Sequence, residues 1–221
     1  MRIVLMGAPG VGKGTQASRL VEAFGLVHLS SGDVFRTEKA GGSELGRKLA
    51  EYMDSGRLVP DDIVVEIMAE AITGSDGKAG LLLDGFPRTV AQAEALDAHL
   101  AQLGKPLDAM VIITAPDEAI IRRIVGRRSC PKCGKVYNVE SMPPRRDQLC
   151  DLCDTKLTRR RDDTEELVAQ RQAAYKKQTE PVIAYYRSRP DTRVIEIDGD
   201  RKLDEVTAAM TTALRLRETE N

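Results

Sequence analysis

The chain is predicted to form an α/β fold in which a five-stranded parallel sheet is flanked by helices and carries two inserts. Three observations carry that prediction. A glycine-rich loop, Gly7-Ala8-Pro9-Gly10-Val11-Gly12-Lys13-Gly14-Thr15, stands directly between the apolar run Ile3-Val4-Leu5-Met6 and a helical pattern. The runs Leu81-Leu82-Leu83 and Met110-Val111-Ile112-Ile113 are continuous rather than alternating, as in parallel strands covered on both faces. Strand-like segments near 2–6, 27–29, 80–83, 109–114 and 193–197 alternate with helical patterns, the signature of a doubly wound sheet whose ligands bind at the strand carboxyl ends.

Taken in order, the first strand feeds the glycine loop and a helix, and the chain then departs from the alternation over residues 30–59. That stretch reads as three helical pieces punctuated by Gly32, Gly41-Gly42 and Gly56. A second departure spans 126–162, which holds the cysteines, Pro143-Pro144 and few apolar positions. Both are read as inserts on the ligand edge of the sheet, leaving 1–29, 60–125 and 163–221 as the core. The longest helical pattern, about 163–189, opens with Asp162, Asp163, Thr164, Glu165 and Glu166, good first-turn residues, and ends before Pro190. No internal repeat or low-complexity tract is visible.

The glycine loop is a phosphate cradle, a P-loop. Gly10, Gly12 and Gly14 let backbone N–H groups turn inward, the following helix adds its positive end, and Lys13 supplies a mobile charge for the β and γ phosphates. The general motif places Ser or Thr directly after the lysine as a magnesium ligand. Here that position is Gly14 and the hydroxyl arrives at Thr15, so the metal is expected to be held through water by carboxylates elsewhere.

With 221 residues and 42% apolar content, the chain can bury one α/β domain with inserts or two small domains. Its net charge of −1 gives no whole-molecule field that would point to nucleic acid. Between Arg122 and Arg161, however, twelve Lys and Arg face only four Asp and Glu, so something anionic is expected to bind there. The N-terminal apolar run is too short for a signal peptide, and no stretch approaches the roughly 20 apolar residues of a membrane span. A soluble cytoplasmic protein is the expectation.

Cys130, Cys133, Cys150 and Cys153 form two C-x2-C knuckles. Four thiolates complete a tetrahedron with no open position, which makes the site structural. Zinc is the expected metal, with iron or cobalt compatible with the same ligands. Disulfides are the alternative, and nothing points to the oxidising compartment they require.

The motifs together resemble one family. Gly7 to Thr15, Ser30-Ser31-Gly32-Asp33, Ser55-Gly56-Arg57-Leu58-Val59-Pro60-Asp61, Asp84-Gly85-Phe86-Pro87-Arg88-Thr89, Arg127-Arg128 and Arg160-Arg161-Asp162-Asp163 occur in the order and spacing of adenylate kinase, in its long-lid form with a four-cysteine zinc site. The resemblance covers essentially the whole chain. It implies a cytoplasmic monomer, binding neither membrane nor nucleic acid, that transfers a phosphoryl group reversibly from ATP to AMP with Mg²⁺, in adenine nucleotide homeostasis. Residues 30–59 would then be the AMP-binding insert and 126–162 the lid.

Residue by residue, the resemblance implies that Gly10 to Thr15 bind ATP phosphates, that Arg36 and Arg88 hold the AMP phosphate, and that Arg127, Arg160 and Arg171 gather around the transferring group. Arg160 and Arg171 would also reach AMP, and Lys13, Arg88, Arg127, Arg160 and Arg171 would form the catalytic set. Further AMP contacts would come from Ser31, Arg57, Leu58, Val59, the backbone of Gly85, Phe86, Pro87 and Arg88, and Gln92. For ATP the resemblance adds Arg123 beneath the adenine, Val136 and Tyr137 in the lid, and the Gly199 to Arg201 turn; Tyr137 can equally be a core residue of the metal-binding lid. Asp33 and Asp84 would orient the magnesium waters, although Asp33 also suits a helix cap. Neither His28 nor His99 is given a catalytic role.

The chemistry agrees with this set. An acceptor that is already a phosphate oxyanion needs no general base, only positive charge, alignment and dryness. Arginine supplies these through a planar fork that stays charged when water is excluded. Two alternatives stand beside this reading. Ser31 occupies a position usually held by threonine, which leaves a UMP/CMP kinase of the same fold open, although such kinases usually have a short lid. A zinc-ribbon nucleic-acid module on a P-loop ATPase is the other; Asp147, Asp151 and Asp154 and the scarcity of aromatic residues around the cysteines weigh against it.

Overall fold

The computed structural model describes residues 1–54, 59–75, 80–159, 163 and 165–216. Its main sheet contains β1 (Arg2–Gly7), β2 (Val27–Ser30), β3 (Leu81–Asp84), β4 (Ala109–Thr114) and β7 (Arg193–Asp198), all parallel, in the order β2-β3-β1-β4-β7. The five expected strands are therefore present, β4 with the expected bounds and the other four longer or shifted by one residue.

The continuous apolar runs are explained by what covers them. Along β1, Val4 and Met6 face one layer, where they pack with Leu81, Leu83, Met110 and Ile112 against α4 (Asp61–Gly74), α5 (Val90–Gln102) and α8 (Glu180–Arg187). Ile3 and Leu5 face the other, with Leu82, Val111 and Ile113 against α1 (Lys13–Phe24) and α9 (Leu203–Arg215). Successive strand residues point to opposite faces, so a strand sandwiched between two helical layers has no position left for a polar side chain. Burying one such aliphatic side chain stabilises the fold by about 1.5–3 kcal/mol.

Because β1 is central and the crossovers leave it toward β2 on one side and, after β3, toward β4 on the other, the loop at its carboxyl end lies at the topological switch point. Among its described residues the first insert holds two helices, α2 (Ser31–Gly41) and α3 (Glu44–Asp54), where three helical pieces were expected. Gly41-Gly42 does separate them, with Gly42 capping α2 at φ +70°, but Gly32 lies inside the first turn of α2, and Gly56 falls outside the described residues. Ser30 is the cap residue but its hydroxyl makes no capping bond; in the first turn, where N–H groups have no intrahelical partner in any case, one glycine costs about 1 kcal/mol or less and does not stop the helix.

The second insert contains a hairpin of β5 (Arg127–Ser129) and β6 (Val136–Asn138). The long helix after it is not uniform. It runs as α7 (Glu165–Ala174), a π-helical turn over Tyr175–Thr179 and then α8, with α6 (Asp117–Val125) packed beside α7 through Ile120, Ile124 and Val168. The Glu180 N–H reaches back five residues to the Tyr175 carbonyl. Pro181 follows, and its ring would collide with the carbonyl of Lys177 in an unbroken α-helix; the wider turn relieves that clash.

Candidate active site and metal centre

The loop that leaves β1 is shaped by glycine at two points in particular. Gly10 has φ +89°, and a Cβ there would meet the Ile124 side chain at 2.4 Å; Gly12 has φ +111° and a Cβ would meet nothing. The first glycine is a packing requirement and the second borders open space at the start of α1. The Lys13 ammonium donates to the carbonyls of Gly7 (2.7 Å) and Ala8 (3.1 Å). Burial pushes its pKa down to about 8; Asp84 opposes that fall, while the positive charges of Arg88, Arg171 and Arg127 add to it.

Those charges come from separate elements. Asp84 ends β3, Arg88 lies in the following loop, Arg127 opens the lid hairpin and Arg171 stands on α7. Desolvation lowers the pKa of Arg88 as well. Its Nε donates to the Gly85 carbonyl at 2.7 Å, which also accepts the Ser31 hydroxyl at 2.9 Å. Arg127 makes a two-pronged pair with the fully buried Asp163, Nε to Oδ2 at 2.9 Å and Nη2 to Oδ1. Arg159 adds a bond to the Asp163 carbonyl. Arg123 joins the loop to the end of the sheet, donating to the carbonyls of Val11 (3.1 Å) and Gly199 (2.7 Å). Arg201 pairs with Asp198 on the adjoining turn.

On the other side, Arg36 is paired with Asp33 within the first turns of α2. Burial alone would raise the Asp33 pKa, but the hydrogen bond and charge of Arg36 prevail and hold it below the ordinary carboxylate range. Gln92, buried on α5, donates from Nε2 to Asp61 Oδ1 at 2.6 Å and accepts the Arg88 N–H at 2.7 Å. Val59, Phe86 and Pro87 lie in the same loops, half-buried to buried. Arg57, Leu58 and Arg160 lie outside the described residues.

Three residues that sequence reasoning passed over belong to this neighbourhood. His28 was given no part, yet its Nε2 stands 3.8 Å from Asp84 Oδ2. Parallel pairing of β2 with β3 brings them to the same sheet end, and this register cannot be read from either strand alone. Asp163 reads as a helix-start acid but serves as the partner of Arg127. Asp61, read from the sequence only as the last residue of a family motif and given no role, anchors Gln92.

In the lid, the four cysteine sulfurs lie within 4.8 Å of one another, with Cys130–Cys153 at 3.4 Å, Cys133–Cys150 at 3.5 Å and Cys133–Cys153 at 3.8 Å. A tetrahedron with Zn–S bonds of about 2.3 Å has S–S edges of about 3.8 Å, whereas a disulfide needs about 2.05 Å. The set therefore fits one tetrahedral ion and no disulfide. Tyr137 is 1% exposed, its ring packed with Cys130, Cys150 and Leu157 and its hydroxyl accepting the Asp151 N–H at 2.8 Å. Its ring is thus lid core and only its backbone is left to face a nucleotide. Val136, its neighbour on β6, is half-buried.

A glycine loop at a switch point, with Arg88, Arg127 and Arg171 acting on its lysine, is what known relatives can now be set against. The family described as Adenylate kinase matches residues 5–190. The chain belongs to the adenylate kinase family. Among curated adenylate kinases, that of Acetivibrio thermocellus is 46% identical over 97% of this chain and 98% of its own. That of Caldicellulosiruptor saccharolyticus is 49% identical over 86% and 88%, and that of Archaeoglobus fulgidus 45% over 93% and 94%. The enzyme is accordingly a nucleoside monophosphate kinase that transfers a phosphoryl group between ATP and AMP. No helix among the described residues of this adenylate kinase is long and apolar enough to cross a membrane.

Proposed function

We propose that the transfer runs between an ATP held by Gly10 to Thr15 and an AMP held by Arg36, Arg88 and Gln92, inside one cluster of positive charge. The observation that carries this reading is the mutual electrostatic reach of Lys13, Asp84, Arg88, Arg127 and Arg171, which arrive from the P-loop, the β3 end and its loop, the lid and α7. Four cations stand here against two carboxylates, Asp84 and the Asp163 that pairs with Arg127, a balance that suits an anion, and a phosphoryl group in flight is such an anion. No proton acceptor is required, since the AMP phosphate attacks as an oxyanion.

Asp84 and Asp33 offer hard oxygen donors beside this cluster, the chemistry that suits Mg²⁺ and its waters. Bound with ATP, the ion would neutralise phosphate charge; Asp84 would orient its water shell and Lys13 would grip the terminal phosphates. The Cys130, Cys133, Cys150 and Cys153 set suits Zn²⁺ as a staple of the lid. We read residues 30–59 as the AMP-binding insert, 126–162 as the lid and the remainder as the core, in a cytoplasmic monomer that holds Arg57, Leu58 and Val59 near AMP and Arg160 near the transferred group. Arg123 with the Gly199 to Arg201 turn, and the Val136 and Tyr137 backbone, would border the ATP base.

A coupled assay of ADP formation with AMP, UMP, CMP and GMP tests the reading. AMP is expected to be preferred by kcat/KM over the others by at least about 10²-fold. A preference for UMP or CMP would overturn it.

A further inference from the structure

The Gln92 side-chain amide is locked at both ends. Its Nε2 donates to Asp61 Oδ1 at 2.6 Å, and its Oε1 accepts the backbone N–H of Arg88 at 2.7 Å. A carboxylate can only accept and a backbone N–H can only donate, so these partners dictate which end of the amide is which. Turning the amide over would set an NH2 against an N–H and an oxygen against a carboxylate. Asp61 is itself held, its Oδ2 accepting the Thr89 hydroxyl at 2.7 Å, while Thr89 caps α5 by accepting the Gln92 N–H at 3.2 Å. The arrangement is buried, Gln92 being 4% exposed.

We infer that Asp61 is a specificity-determining positioning residue, which fixes the Gln92 amide in the one orientation that suits a 6-aminopurine acceptor. The inference rests on the reading of Gln92 as an AMP contact. With one amide hydrogen committed to Asp61 and one lone pair to Arg88, the amide keeps one N–H and one carbonyl lone pair for the base, in a fixed order. Adenine presents an acceptor at N1 beside a donor at its 6-amino group. Hypoxanthine presents the reverse, an N1–H beside a 6-oxo acceptor, in a ring of the same size. A free glutamine serves either edge by turning over, whereas this one serves one edge only. Mismatched, a buried donor faces a donor and an acceptor faces an acceptor, the arrangement by which polar sites reject analogues most strongly.

The test compares AMP with IMP as acceptors for the full-length enzyme at saturating ATP and Mg²⁺. Asp61→Asn and Asp61→Ser are both made, so that whichever folds decides. In Asp61→Asn the new amide can present either group to Gln92, and the lock is released on that side. The ratio of kcat/KM for AMP to that for IMP is expected to fall by about 10-fold or more, while KM for ATP stays within about twofold. Thr89→Val removes the hydroxyl partner of Asp61 and the cap of α5 but leaves the Asp61–Gln92 bond; it is expected to lower the melting temperature and keep the ratio. An unchanged ratio in a folded Asp61 variant, or an equal fall in Thr89→Val, overturns the inference. Gln92→Met separates the two readings. If it leaves the ratio unchanged, Gln92 does not read the base and the reading of the AMP site fails. If it lowers the ratio while the Asp61 variants do not, only the role of Asp61 is lost.

Discussion

At the residue scale, the informative group is Lys13. Its ammonium rests on two loop carbonyls and its pKa is pushed down to about 8, from 10.5, chiefly by burial. The folded protein therefore holds this proton less tightly than the unfolded chain. The Lys13 contribution makes stability rise with pH between about 8 and 10.5, because across that window the unfolded chain binds more protons. An incoming triphosphate reverses the balance by stabilising the charged form. ATP binding at pH 8.5 is thus expected to take up a fraction of a proton that is not taken up through this group at pH 6.5. Calorimetry in two buffers of different ionisation enthalpy reads this directly, and Lys13→Arg, which stays charged, is expected to abolish the Lys13 share. A wild-type binding enthalpy that is independent of buffer at pH 8.5 would contradict the assignment.

The lid and the long helix show what an element can and cannot reveal from sequence. The cysteine spacing made a four-sulfur cluster legible, because two knuckles have few other ways to satisfy their ligands. It left open whether Tyr137 would border a nucleotide or complete the lid core, since one aromatic residue carries no periodicity, and the ring proves to be core. With Cys130, Tyr137, Cys150 and Leu157 as its buried cluster, this insert has a small core of its own, and an ion held by the four sulfurs would order it. Structural zinc contributes roughly 10 to 16 kcal/mol in isolated peptides. Cys130→Ser is expected to lose tight zinc retention and to lower the melting temperature while ADP formation persists at low temperature. Zinc content, melting temperature and activity measured on one preparation check this; a folded, metal-free protein inactive at every temperature would give the ion a part in the chemistry. In the long helix, Pro181 stands inside a stretch read as one continuous pattern ending before Pro190, and its remedy, a π turn starting at Tyr175, depends on packing that no local pattern encodes. Gly32 misled in the opposite sense, because a glycine in the first turn of a helix costs little and does not end it.

At the scale of the whole molecule, the parallel strands and the phosphate loop were legible because burial on both faces leaves no choice of residue type. The pairs that finish the site, His28 with Asp84 and Arg127 with Asp163, join positions 56 and 36 residues apart and arise only when the sheet and lid assemble. In the proposed reaction, two inserts bearing arginines distant in sequence would meet on one phosphoryl group from which water is excluded. A lid-to-core fluorescence pair is expected to shorten on addition of a bisubstrate analogue joining two adenosines through five phosphates, and no change at saturation would count against closure. The cations of this region are also paired within the chain: Lys13 on Gly7 and Ala8, Arg36 on Asp33, Arg88 on Gly85, Arg123 on Val11 and Gly199, Arg127 on Asp163. If they hold the nucleotides as proposed, each contact exchanges one partner for another. On that reading a lone orthophosphate, which can displace one such partner but not all of them in concert, is expected to compete poorly with a nucleotide for the site.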